Sequence, residues 1–157
     1  MSGPSFEPRI LAILCNWCSY SAADAAGSAR FEVPSNIRVL RVMCTGRVDP
    51  AFVLGAFSEG LDGAMVCGCH PGDCHYLSGN NKAVRRIHLL RRVLDQLGIE
   101  PERLRLEWVS ASEAKRFAEV ASEMVAAVRS MGPSPLRPEP LAPRSSGVSG
   151  AVQGLEA

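Results

Sequence analysis

The sequence has no apolar run approaching the length of a membrane span. It contains no dinucleotide-binding G-x-G-x-x-G, no Walker phosphate loop and no G-x-S-x-G nucleophile elbow. Asp73 and Glu107 form no obvious catalytic carboxylate pair, and no internal repeat is apparent. The net charge is only +1, so no global field directs the chain to nucleic acid or to an anionic membrane. Residues Met1–Arg9 lack the basic stretch, apolar core and small-residue cleavage site of an export signal, and the apolar run Ile10–Leu14 is too short to be one. The expected location is therefore the cytoplasm. Thiols stay reduced there, and clustered cysteines point to metal binding or catalysis rather than structural disulfides.

Cysteine is where the sequence is rich. Half of its six cysteines and two of its three histidines fall in Cys67–Tyr76. Pro71-Gly72-Asp73 inside that stretch marks a tight turn, because proline fixes φ and glycine accepts φ > 0. Folding back there aims Cys69 and Cys74 at a common point.

Hydrophobic patterning predicts alternating strands and helices. Ile10–Leu14 reads as a strand buried on both faces, Ile37–Met43 as a second and Gly63–Val66 as a third. Leu104–Val109 alternates apolar and polar residues, as a half-exposed edge strand does. Helices are expected over the small-residue stretch Ser19–Ala26, from Asp49-Pro50 to about Glu59, over Lys82–Leu97 with Asn80-Asn81 as its cap, and from a capping box at Ser110–Glu113 to Gly132. On the third helix, Val84, Ile87, Leu90, Leu94 and Leu97 should face the sheet. Lys82, Arg85, Arg86, Leu89, Arg92 and Val93 form a basic arc, read as solvated or as a partner surface. The fold class is α/β: a four-stranded, mostly parallel sheet flanked by helices in three layers, flavodoxin-like. The domain is expected to span residues 1–132. Five prolines in the eleven residues from Pro133 to Pro143, with no aromatic thereafter, read as the start of a disordered tail over 133–157.

In such sheets the ligand site lies beyond the carboxyl ends of the strands. Three successive strands run into cysteine there: Cys15, Cys44 and the Cys67/Cys69 pair. Several thiolates at one edge suit an iron–sulfur cluster, and zinc accepts the same donors. Cys15-Asn16-Trp17-Cys18 alone also fits a thioredoxin-type dithiol. Cys67 lies within the apolar run and reads as a small buried hydrophobe. His70 and His75 are expected beside the cluster as hydrogen-bond donors rather than ligands, with Asn16 and Trp17. His88 carries no signal.

The motifs C-N-W-C-S-Y at Cys15–Tyr20, R-V-M-C-T-G-R-V-D-P at Arg41–Pro50 and G-C-H-P-G-D-C-H-Y at Gly68–Tyr76 together resemble the delta subunit of methyl-viologen-reducing hydrogenase. The resemblance runs over roughly Pro8 to Val128 and leaves Cys67 and the proline-rich tail outside it. It implies a non-catalytic electron-transfer protein with a [2Fe-2S] cluster. It also implies a relay from a hydrogenase (its small subunit) or a formate dehydrogenase to the flavin subunit of a heterodisulfide reductase. Carried over by motif, the candidate ligands are Cys15, Cys18, Cys44, Cys69 and Cys74, five thiols for four places. A thiol–disulfide oxidoreductase using Cys15 and Cys18 and a zinc-stabilised assembly protein are the rival readings.

Overall fold

A computed structural model describes residues 6–138. Strands and helices alternate: β1 (Ile10–Cys15), α1 (Ser19–Ser28), β2 (Ile37–Val42), α2 (Pro50–Ser58), β3 (Gly63–Gly68), α3 (Gly79–Gln96), β4 (Leu104–Trp108) and α4 (Ala114–Met131). All strand pairings are parallel, in the order β2-β1-β3-β4. Chain direction across the sheet therefore reverses between β1 and β3, whose connections leave toward opposite sides. Crevices that bind ligands open at such reversals, outside the carboxyl ends of the strands.

Side-chain alternation divides the core in two. Ile10, Ala12, Leu14, Met65 and Cys67 point to α1 and α4, where they meet Ala22, Ala26, Phe117, Val120 and Met124. Ile13, Ala64 and Val66 point the other way, to Val53 and Phe57 of α2 and Ile87, Leu90 and Leu94 of α3. The two central strands are apolar on both faces because both faces are covered. Strand β4 lies at an edge, as its half-exposed pattern predicts. Among the described residues no helix is long and apolar enough to cross a membrane.

Some local expectations need correction. Helix α3 begins at Gly79, not after an Asn80-Asn81 cap; Asn80 lies in its first turn and is buried. Leu97 does not face the sheet but is 57% exposed, because α3 stops at Gln96 and Ile99 fills the core beyond Gly98. Val93, placed on the basic arc, packs partly buried against the core. The capping box before α4 is half formed: Glu113 Oε2 accepts from Ser110 N at 2.6 Å, whereas the Ser110 hydroxyl pairs with that of Ser112.

The packed chain also continues past Gly132. The fully buried Asp62 carboxylate accepts from Arg9 N at 2.8 Å, Ser134 N at 3.0 Å and Arg137 Nη1 at 2.7 Å. The equally buried Arg103 donates to Glu100 and to the carbonyls of Asp62, Met131, Gly132 and Pro133. A buried charge is tolerable only when its partners satisfy it, and here residues 133–137 supply part of that satisfaction. The proline-rich segment therefore does not leave the domain at 133; residues 139–157 lie outside the described residues. Truncation after Gly132 leaves Asp62 buried with fewer donors, and the expected cost is on the order of 2 kcal/mol of stability, read as a fall in melting temperature against the full chain. An unchanged melting temperature would show that Asp62 does not need this segment.

Candidate metal centre

Each cysteine expected at the sheet edge arrives by its own route. Strand β1 delivers Cys15 at its last residue, and Cys18 follows one turn later, immediately before α1. Ser19 fixes that turn: its buried hydroxyl accepts from Cys15 N at 2.9 Å and donates to Cys67 O at 2.6 Å. Cys69 lies one residue beyond β3. The Asn80 side chain holds this strand exit, donating to Cys69 O at 3.3 Å and His70 O at 2.9 Å. Thus Cys15, Cys18 and Cys69 come together, with their sulfurs within 4.8 Å of one another. Cys15 and Cys69 are 3.8 Å apart. Two thiolates bound tetrahedrally to one metal at about 2.3 Å lie roughly 3.8 Å apart, so the spacing suits a shared metal ion.

Cys44 and Cys74 form a second group. Cys44 precedes a single 3-10 turn, Thr45–Arg47, and accepts from Gly46 N at 3.4 Å. Cys74 accepts from Gly79 N at 3.2 Å. Gly46 and Gly79 pack backbone to backbone: a Cβ on Gly46 would lie 2.9 Å from Gly79 Cα, and one on Gly79 would overlap Cys44 Sγ. The two glycines thus allow the 3-10 turn and the start of α3 to close on each other, with the two sulfurs at the seam.

A family model described as methyl-viologen-reducing hydrogenase, delta subunit, matches residues 10–132, which include all of these cysteines. The chain belongs to that family. It is 56% identical over 128 residues to the iron-sulfur subunit of the F420-non-reducing hydrogenase of Archaeoglobus profundus, covering 82% of this chain and 93% of that one. It is 49% identical over 133 residues to the iron-sulfur subunit of the F420-non-reducing hydrogenase vhc of Methanococcus voltae, covering 85% and 92%. It also resembles part of a longer protein from Methanosarcina acetivorans, one of the subunits of a ferredoxin/F420H2-dependent CoB-CoM heterodisulfide reductase. There the identity is 47% over 126 residues, 80% of this chain but 16% of that one.

In this delta-subunit fold the environment divides the thiols electrostatically. A hydrogen bond with Cys18 holds the Cys15 thiol low, at about 6, and the same contact, together with burial, pushes Cys18 up. Burial pushes Cys44 and Cys69 up. Burial works upward on Cys74 as well, but the backbone N–H groups of Asn80, Tyr76 and Gly79 outweigh it and hold this thiol below its usual value. Such N–H groups favour anionic sulfur. Cys67 stands apart: it packs in the α1/α4 core, fully buried, and burial pushes it up to about 12.

The imidazole rings of the turn pair away from the sulfurs, although the His75 backbone N–H favours the anionic form of Cys69. His70 Nε2 pairs with Glu113 Oε2 at 2.8 Å. Glu113 is held at about 2 by the Ser110 N–H and by His70. His75 stacks on Trp17 with ring centroids 3.8 Å apart, and Trp17 Nε1 donates to Tyr76 Oη at 3.3 Å. Asn16 contributes through its backbone, donating to Val42 O at 2.8 Å and accepting from the Ser21 hydroxyl. His88 is exposed on α3. Ser19, Gly46, Gly79, the structural role of Asn80 and the pairing of Glu113 with His70 escape the sequence reading, since each depends on a residue distant in the chain.

Gly79→Ala is expected to leave helical content intact, since alanine favours a helix over glycine by about 1 kcal/mol, while the new Cβ displaces Cys44. Iron per chain should fall well below that of the wild type at unchanged far-ultraviolet circular dichroism. Full iron retention would refute the seam as part of the centre.

Proposed function

We propose that this chain is a cytoplasmic, non-catalytic electron-transfer protein whose edge thiols hold a [2Fe-2S] cluster. In this reading it relays electrons between a hydrogenase or formate dehydrogenase and the flavin-bearing subunit of a heterodisulfide reductase. The observation that carries the proposal is the gathering of Cys15, Cys18 and Cys69 within 4.8 Å of one another at the reversal point of a parallel sheet, with Cys44 and Cys74 as a second group at the same edge. Cys15, Cys18 and Cys69 form one side of the ligand set, and Cys44 and Cys74 the other; four of the five bind iron. Two groups of thiolates suit a two-iron cluster, which takes two protein ligands on each iron. When bound, the cluster stores and passes on single electrons.

The surrounding residues serve that task by holding and insulating. Gly46 N and Gly79 N direct hydrogen bonds at Cys44 and Cys74, and such bonds to sulfur tune cluster potential. Trp17, His75 and Tyr76 form an aromatic cover over the turn. The names of the relatives support the assignment to hydrogenase and heterodisulfide reductase chemistry. The lowered Cys15 beside a raised Cys18 is also the asymmetry of a dithiol oxidoreductase. However, Cys15 is 1% exposed and Cys18 5%, and a nucleophile in exchange needs access to its substrate.

The test is anaerobic purification followed by a cysteine series. The wild type should be coloured, contain iron and acid-labile sulfide, and give a paramagnetic signal after dithionite reduction. Cys69→Ser, Cys44→Ser and Cys74→Ser should lose or badly destabilise that signal, and single changes at Cys15 and Cys18 should reveal whether either is dispensable. Cys67→Ser should keep it, with a stability loss of about 1–3 kcal/mol from burying a hydroxyl. Colourless protein with stoichiometric zinc, or a signal lost in Cys67→Ser but kept in Cys74→Ser, would overturn the assignment.

A further inference from the structure

A second feature lies on the Cys44 flank of the same edge. Between the outer edge of β2 and α2 runs an open groove of about 650 Å³, lined by Leu40, Met43, Cys44, Arg47, Phe52 and Tyr76 among others. Its lining contains Arg41 and Arg47 and no carboxylate. Arg41 lies over the Tyr20 ring at 4.8 Å and Arg47 over the Phe52 ring at 5.5 Å. Among the described residues neither has an acidic partner, so both charges are held in place without being neutralised. Leu77, next in the chain to the groove residue Tyr76, is 89% exposed. Its backbone is left-handed, with φ +69°, and the Cys74–Ser78 turn fixes it through Leu77 N to Cys74 O at 2.9 Å. A leucine disfavours that conformation, and a fully hydrated leucine side chain contributes nothing to the core. Both features become useful once a partner covers the side chain.

We infer that this groove and Leu77 form the docking surface for the electron-transfer partner: an apolar protein face rimmed by carboxylates, carried by the flavin-bearing heterodisulfide reductase subunit. The inference rests on the relay reading above and adds the surface. A second copy of this chain is a poor occupant, because a two-fold interface sets the same patch against itself and would bring arginine to arginine. The basic arc of α3 is a weaker candidate than its sequence suggests. Arg86, a member of that arc, is spent on Gly46 O at 2.7 Å and Val48 O at 3.0 Å. Cys44 lines the groove itself, so a partner seated there comes within direct contact of a proposed ligand. In the Methanosarcina relative, a stretch like this chain is part of a heterodisulfide reductase polypeptide.

The test uses the full-length, cluster-loaded chain and the purified flavin-bearing reductase subunit from the same organism. Binding is measured together with the rate at which dithionite-reduced chain reduces that flavoprotein, after iron content and the paramagnetic signal have been matched across variants. Leu77→Gly relieves the backbone, so its melting temperature should be unchanged or higher while affinity falls about tenfold. Arg41→Glu/Arg47→Glu should weaken binding by about tenfold or more at low salt and by less at high salt. Arg85→Glu/Arg92→Glu on α3 carries the same charge change and should bind as the wild type does. Groove variants that bind normally, or α3 variants that lose binding equally, overturn the docking surface while leaving the relay intact. A wild-type chain with a reducible cluster that neither binds nor reduces the flavoprotein overturns the relay reading itself.

Discussion

The Ser19 hydroxyl ties together the two strands on which the thiol edge depends. It accepts from Cys15 N and donates to Cys67 O, bridging the carboxyl ends of β1 and β3 where their connections part. A parallel sheet leaves its last backbone groups unpaired as the strands diverge, and a buried unpaired group costs about as much as a lost hydrogen bond. Ser19, with no exposure to solvent, satisfies one group on each strand and fixes their separation. Cys15 and Cys69 sit beside those groups, so their 3.8 Å approach follows from it. Asn80 repeats the device one layer out by holding the carbonyls of Cys69 and His70. The sulfurs are thus placed mainly by buried side chains that grip the backbone around them.

The architecture was readable from the sequence because it is written in local periodicity. Ile10–Leu14 is apolar at every position since both sheet faces are covered, whereas Leu104–Trp108 alternates since it lies at an edge. Asp49-Pro50 announces α2 through a cap that acts two residues away, on Ala51 N. The thiol edge was legible for a different reason: a cysteine at the end of a parallel strand lands at the same edge as any other. What stayed hidden depends on partners far away in the chain. Asn80 looks like a helix cap until the His70 carbonyl stands beside it. Gly46 and Gly79 look like turn and loop residues until their backbones meet. Pro133–Pro138 looks like the start of a tail because its composition does not show that buried Asp62, more than seventy residues earlier, accepts from Ser134 and Arg137.

The two ends of the sheet are built on opposite electrostatic plans. At the amino end, Asp62 and Arg103 are fully buried charges, each surrounded by enough partners to be stable. That node is closed to solvent. At the carboxyl end, burial pushes the Cys44 thiol up while backbone N–H donors hold its neighbour Cys74 low. Arginines there rest on aromatic rings instead of carboxylates. Stability is concentrated where no electron is proposed to pass, which leaves the other end free to carry strained, exposed and charged groups.

The Asp62 node also gathers the two ends of the folded unit. Arg9 immediately precedes the strand that opens it, Ser134 comes from the segment that closes it, and Arg137 Nη1 donates to Glu7 O at 3.4 Å. Entry and exit therefore lie side by side, a whole strand length away from the sulfurs. A unit with that layout can be spliced into another polypeptide through one narrow junction, with its business edge facing outward and undisturbed. Gene fusion then requires no redesign of the domain, only a linker at the quiet end, and the same piece can serve as a free protein in one lineage and as a built-in segment in another.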